Sequence, residues 1–159
     1  MWTAKYFQLN RANAWPYRMQ LIGSGTAYNE KDEGNTAGYL YYQFMDEKFG
    51  LLIDCGLGTT RRLAEICQEL PEKRVRLDSI LITHAALDHV AELPLLTKSL
   101  MASNLYEEEE IKVYCSKDTL DMLETRFEYE VENGFFQLIP VIPLESFDLF
   151  DKRMKITPI

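Results

Sequence analysis

The sequence predicts an α/β (α+β) domain with mixed strand pairing, and three observations carry that expectation. Short apolar runs of strand length alternate with segments of helical period along the chain. A tyrosine-rich run at 38–44, a short polar turn and a returning apolar run at 51–53 read as a hairpin. A continuous apolar run at 80–82, bounded by polar residues, reads as a buried strand.

The elements run in order along the chain. Residues 1–17 show no clear period, and Trp2, Tyr6, Phe7 and Trp15 are candidates to cap a core edge. Residues 19–22 form a short strand that runs into Gly23-Ser24-Gly25-Thr26, where glycine permits a tight turn or a close approach to a ligand. Residues 27–33 are polar loop rather than a phosphate-binding helix start, so a turn beside the site is the preferred reading. After the 38–44 strand, Asp46-Glu47-Lys48 is the turn, and the returning strand ends in Asp54-Cys55-Gly56-Leu57-Gly58.

Residues 59–70 are helical, because Leu63, Ile66, Cys67 and Leu70 make one apolar stripe before Pro71. After the 80–82 strand and its loop, 90–105 form a second helix with Leu93, Leu96 and Leu100 on one side and Pro94 in the first turn. Residues 107–110 are an acidic, solvated loop, and 111–114 a strand. Ser116 caps a helix to about Phe127, with Leu120, Leu123 and Phe127 inward. Residues 135–142 and 147–150 are strands, and the latter turns through Asp151-Lys152-Arg153 into 154–157 as a hairpin. With 159 residues and neither repeats nor a linker, 1–159 reads as one domain with a real core.

The net charge of −8 argues against an electrostatically driven nucleic-acid binder, since phosphate contacts need surplus Lys and Arg. It leaves room for a small anionic substrate held by a metal ion, whose local field outweighs the global one. Cys55, Cys67 and Cys115 are widely spaced with no CxxC pair, so they read as reduced thiols acting as small core hydrophobes. No 18-residue apolar run predicts a membrane span, and the amino terminus lacks an apolar signal core. A cytoplasmic protein is the expectation.

Chemistry concentrates in Thr83-His84-Ala85-Ala86-Leu87-Asp88-His89, which holds both histidines of the chain. Imidazole nitrogen and carboxylate oxygen are what a cation such as Zn²⁺ accepts, and a loop leaving a buried strand presents them rigidly. His84, Asp88 and His89 are therefore candidate metal ligands; a satisfied buried pair or a plain surface loop would use the same residues. Asp54, at the end of an apolar strand, is a costly place for charge unless it is paired. Orienting a ligating histidine and capping the next helix are both open to it.

The Gly-Ser-Gly-Thr turn, Leu52-Ile53-Asp54-Cys55-Gly56 after a hairpin, and the Thr83–His89 segment before Leu93-Pro94-Leu95-Leu96 occur in that order. This arrangement, over residues 18–159, resembles the amino-terminal half of a metallo-β-lactamase-fold hydrolase, an αββα sandwich. It is most similar to the ribonuclease Z and class II cyclic-nucleotide phosphodiesterase branch. The resemblance implies Zn, Mn or Fe as cofactor and a His-x-His-x-Asp-His ligand motif. His84, Asp88 and His89 match it, whereas the second histidine falls on Ala86.

By the same resemblance, His84 serves one metal, Asp88 and His89 the other, Asp88 is also catalytic, and Asp54 supports the site from behind. Further ligands come from the second half of family members, so the domain is expected to be incomplete at its carboxy terminus. One ligand for the first metal and two for the second predict weak or absent metal binding and little turnover. The implied function is a phosphodiester hydrolase lineage acting on a cyclic nucleotide or an RNA 3′ end, impaired by Ala86. The charge of −8 leans toward a small phosphodiester over RNA. The alternative is a non-catalytic pseudo-enzyme or interaction module on the same scaffold. A half sandwich would also leave an apolar sheet face uncovered, which predicts self-association through it.

Overall fold

Strands β1 (Tyr17–Gly23), β2 (Ala37–Phe44) and β3 (Glu47–Ile53) pair antiparallel in sequence order. They continue into β4 (Ser79–Leu81), β5 (Lys112–Ser116) and β6 (Gln137–Val141), each parallel to its neighbour, giving one six-stranded mixed sheet. This computed structural model describes residues 17–23, 36–44, 47–69, 76–102, 111–150, 152 and 154–159. Parallel neighbours need crossovers, and helices supply them. They are α1 (Thr59–Glu69), then α2 (Leu87–Val90) with α3 (Leu93–Ala102), then α4 (Lys117–Arg126) with α5 (Glu128–Glu132). A separate antiparallel hairpin, β7 (Phe147–Leu149) and β8 (Met154–Ile156), closes the order.

Side chains alternate across the sheet, so both of its faces are apolar. Tyr39, Tyr41, Leu52, Ile80, Ile82, Val113 and Cys115 meet the helices, which contribute Leu63, Ile66, Leu93, Leu96, Leu100, Leu120 and Leu123 to one core. Leu40, Tyr42, Phe49, Leu51 and Leu81 face the other way, into a second core with Leu149, Met154 and Ile156 of the hairpin. Phe49 stacks on Phe150 at 3.8 Å between centroids, and Tyr114 on Phe147 at 5.2 Å. Helices, sheet and hairpin thus form three layers. The expectation of a bare second face is corrected: over β2 to β5 the hairpin lies on it.

Gly50 fixes where β4 enters. A Cβ there would stand 1.7 Å from the Arg76 carbonyl oxygen, so only glycine admits that backbone. The Tyr39 hydroxyl donates to the same oxygen, the Gly50 N–H donates to Asp78 Oδ2 (2.7 Å), and the Asp78 N–H donates to the Gly50 carbonyl (2.9 Å).

Several expected elements change at their edges. β3 begins at Glu47, not 51, because Lys48 and Glu47 pair with Gln43 and Phe44 in register. The expected 90–105 helix starts at Leu87 and is broken after Val90. Pro94 has no N–H for the Val90 carbonyl, and the Glu92 N–H is given to Cys55 O instead (3.0 Å). α5 went unread because Phe127 leaves helical geometry (φ −121°) and five residues are too few to show a period. Ser116 caps α4 as expected, accepting the Thr119 N–H. Residues 1–16, the Ser24-Gly25-Thr26 turn, 103–110 and Asp151 and Arg153 of the last turn lie outside the described residues.

Candidate metal centre

The site sits where two neighbouring parallel strands end. Ile53 pairs with Leu81, and one residue beyond each strand the ladder continues: Asp54 N–H donates to Leu81 O (2.8 Å) and Ile82 N–H to Tyr114 O (2.9 Å). The carboxyl ends of parallel strands are where open α/β sheets bind ligands. Asp54 then turns the chain at φ +60°, a left-handed conformation that Asp tolerates better than bulkier residues.

Asp54 is 2% exposed, and its charge is fully engaged. Oδ1 accepts the Thr83 N–H (2.8 Å) and lies 2.9 Å from Thr83 Oγ1; Oδ2 lies 2.8 Å from His89 Nδ1 and 3.0 Å from Thr83 Oγ1. Of the two roles left open for Asp54, the contacts are those of holding a histidine. Capping of α1 falls to Glu92, whose Oε1 and Oε2 accept the N–H groups of Gly58 and Thr60, each at 2.7 Å. A carboxylate at a helix start satisfies orphan donors and complements the helix dipole.

Two further contacts brace the histidine-bearing segment. The Cys55 N–H donates to the His89 carbonyl (2.6 Å), tying the Asp54 loop to α2. The Arg126 guanidinium, from α4, donates through Nη1 to the Ala85 carbonyl (2.6 Å). Cys55 itself is no nucleophile: burial pushes its thiol well above the ordinary range, and the Glu92 and Asp54 carboxylates push it further. Cys115 is likewise raised to about 12, by burial first and Glu124 second. Both are free thiols in the core, as the sequence suggested; the Cys67 side chain lies outside the described residues.

His84, Asp88 and His89 come together. The two imidazole rings lie 4.0 Å apart, tilted by 51°, and His89 Nε2 stands 3.6 Å from Asp88 Oδ2. With Nδ1–H given to Asp54, a neutral His89 turns an Nε2 lone pair toward that carboxylate. Two acceptors facing across a gap repel unless a cation or solvent bridges them, so the donor chemistry suits a divalent ion. The count does not complete a site. Ala86 offers a methyl group, and among the described residues no group of three or more His, Cys, Asp or Glu is placed to hold a metal ion. The residues present fit part of a cation site.

A family model described as "Beta-lactamase superfamily domain" matches residues 50–159. The chain belongs to this family. A ribonuclease Z from Methanopyrus kandleri is 37% identical to this superfamily domain over 97 residues, covering 60% of the chain and 30% of the relative. Unliganded yeast PDE1 superposes with a TM-score of 0.64 at 12% identity, over 84% of this chain and 53% of its own. A diphosphatase of the PhnP family does so with 0.60 at 16% identity, over 84% and 54%. At such identities these two solved structures speak for the fold alone. The chain spans about half the length of the two solved relatives, and its alignment to the ribonuclease Z spans less than a third of that protein. The metallo-β-lactamase-like fold expected from the motif order stands, and the ribonuclease Z is a relative by sequence.

Sequence reasoning named His84, Asp88, His89 and Asp54 and passed over Thr83, Glu92 and Arg126. Thr83 had a signal, a hydroxyl beside a candidate ligand at a strand end. Glu92 and Arg126 act on residues 32 to 41 positions away and had none.

Proposed function

We propose that this superfamily domain is of a phosphodiester hydrolase lineage and that Ala86 leaves its metal site short of a ligand. Asp88 and His89 are the ligand pair for one divalent cation (zinc, manganese or iron), and His84 is a lone ligand for a second. Asp54 orients His89 from behind, and Asp88 lies at the reacting centre. The observation that carries this reading is the line Asp54–His89–Asp88, with Oδ2 to Nδ1 at 2.8 Å and Nε2 to Oδ2 at 3.6 Å. A carboxylate behind a histidine whose other nitrogen faces a second carboxylate is how ligating histidines are held.

The substrate proposed is a small phosphodiester such as a cyclic nucleotide, since a net charge of −8 opposes RNA unless contacts lie elsewhere. The ribonuclease Z relative keeps an RNA 3′ end as the competing substrate. Cytoplasmic residence belongs to the same reading, on the reduced, buried Cys55 and Cys115; no described helix is long and apolar enough to cross a membrane. So does self-association, which the exposed Ile142 and Leu144 favour.

Hydrolysis of bis(p-nitrophenyl) phosphate and of a 3′,5′-cyclic nucleotide, with zinc, manganese or iron(II), tests the reading in the wild type and Ala86→His. Marginal turnover by the wild type and a rise of about tenfold or more in the variant are expected, in line with the loss that follows removal of a metal-site group. Equal, metal-independent rates in both would contradict it. That outcome would favour the second reading, a non-catalytic module, which the methyl group at Ala86 supports.

A further inference from the structure

Thr83 Oγ1 lies within hydrogen-bond distance of four atoms: Asp54 Oδ1 (2.9 Å), Asp54 Oδ2 (3.0 Å), His84 Nδ1 (3.0 Å) and His89 Nδ1 (3.2 Å). A hydroxyl has one proton to give and two lone pairs to offer. We infer that Thr83 is a positioning residue that fixes His84 as its Nδ1–H tautomer, so that both imidazoles of the site present a bare Nε2.

The proton count leads there. The Asp54 carboxylate can only accept, and it is buried, so an oxygen as close as 2.9 Å must bring a proton or repel it. The Thr83 proton therefore goes to Asp54. Thr83 Oγ1 is then an acceptor toward the rings. His84 Nδ1 must carry a hydrogen to meet it at 3.0 Å, which leaves the His84 lone pair on Nε2. The His89 Nδ1–H is given mainly to Asp54 Oδ2 at 2.8 Å, with Thr83 as a weaker second acceptor. Were His84 protonated on Nε2 instead, the Thr83 hydroxyl would have to turn to its Nδ1 and leave two unscreened oxygen–oxygen contacts against a buried charge.

The two histidines differ in what holds them. His89 is fixed by Asp54 whether or not Thr83 has a hydroxyl. His84 is exposed, and among the described residues Thr83 is the polar partner of its Nδ1. Removing the hydroxyl should therefore release one ring and not the other. The usefulness of a bare Nε2 rests on the proposed cation site; the tautomer does not, and it is measured without metal.

Long-range ¹H–¹⁵N correlation spectra of the full chain, in metal-free alkaline buffer where free imidazoles are neutral, read each ring directly. The wild type should show Nδ1–H for both histidines. In Thr83→Val, near-isosteric and with the backbone N–H to Asp54 retained, His84 should move to the Nε2–H form while His89 stays. Thr83→Ser should restore His84. A purely structural role for Thr83 would move both rings or neither. Nε2–H at His84 in the wild type, an unchanged His84 in Thr83→Val, or no rescue by serine would each overturn the inference. If Thr83→Val does not fold, Thr83→Ala lacks the same hydroxyl without the added methyl and is judged by the same spectra. A zinc titration run separately reports on the cation site, so the two ideas fail independently.

Discussion

The two ends of the histidine loop are built to different standards. At one, His89 is pinned by Asp54, its own carbonyl by the Cys55 N–H, and the segment behind it by Glu92. At the other, the His84 ring is exposed and holds to the scaffold through Thr83, Arg126 braces only the Ala85 backbone, and Ala86 has no donor to offer. The contrast teaches that the contacts of Asp54, Thr83 and Glu92 hold two strand ends and a helix start together whatever the loop between them carries. Asp54, Thr83 and Glu92 serve the fold as much as any cation.

Breaking the braced end should have the largest effect. Asp54→Ala strands three donors and removes a buried charge partner, so a loss of about 3 kcal/mol or more in urea unfolding is expected; a loss below about 1 kcal/mol would erase the distinction between the ends. Glu92→Ala uncaps α1 and frees the Asp54 loop. A cost of about 1–2 kcal/mol is expected, with faster amide exchange at Gly58 and Thr60 as its local signature.

Behind the braced end the buried thiols give a pH signature. Cys115 titrates at about 12 in the fold against an ordinary 9.0, and Cys55 is raised in the same direction. The unfolded chain thus loses these protons first as pH rises. Their contribution to stability is whole below 9.0 and drains away toward about 12. Urea midpoints should fall across that window, and less steeply in Cys115→Ala; a flat profile would show the thiols to be accessible. At the loose end, His84→Ala should shift stability by no more than about 0.5 kcal/mol.

Much of the architecture is legible in the sequence, and the residues show why. A tyrosine-rich run, a continuous apolar run and apolar stripes give β2, β4, α1 and α4 their places, since each is a local consequence of burial. The strand-end positions of Asp54 and His84 come from the same patterns. The start of β3 at Glu47 is a local pairing with Phe44 that charged residues conceal. The Glu92 N–H lost to Cys55 and the contacts of Glu92 and Arg126 instead depend on chain segments tens of residues apart, which no local pattern reports. The hairpin covering the second face reads as a hairpin from sequence, but its docking rests on Phe49–Phe150 and Tyr114–Phe147 stacking, visible only in three dimensions.

Calorimetric titration of zinc into metal-free wild type, Ala86→His and Ala86→His/His84→Ala tests the central claim most directly, that part of a cation site survives here. The account predicts weak binding in the wild type, at least about tenfold tighter binding in Ala86→His, and loss of that gain when His84, the ligand that would share a cation with residue 86, is removed. Equal affinities in all three chains would contradict it.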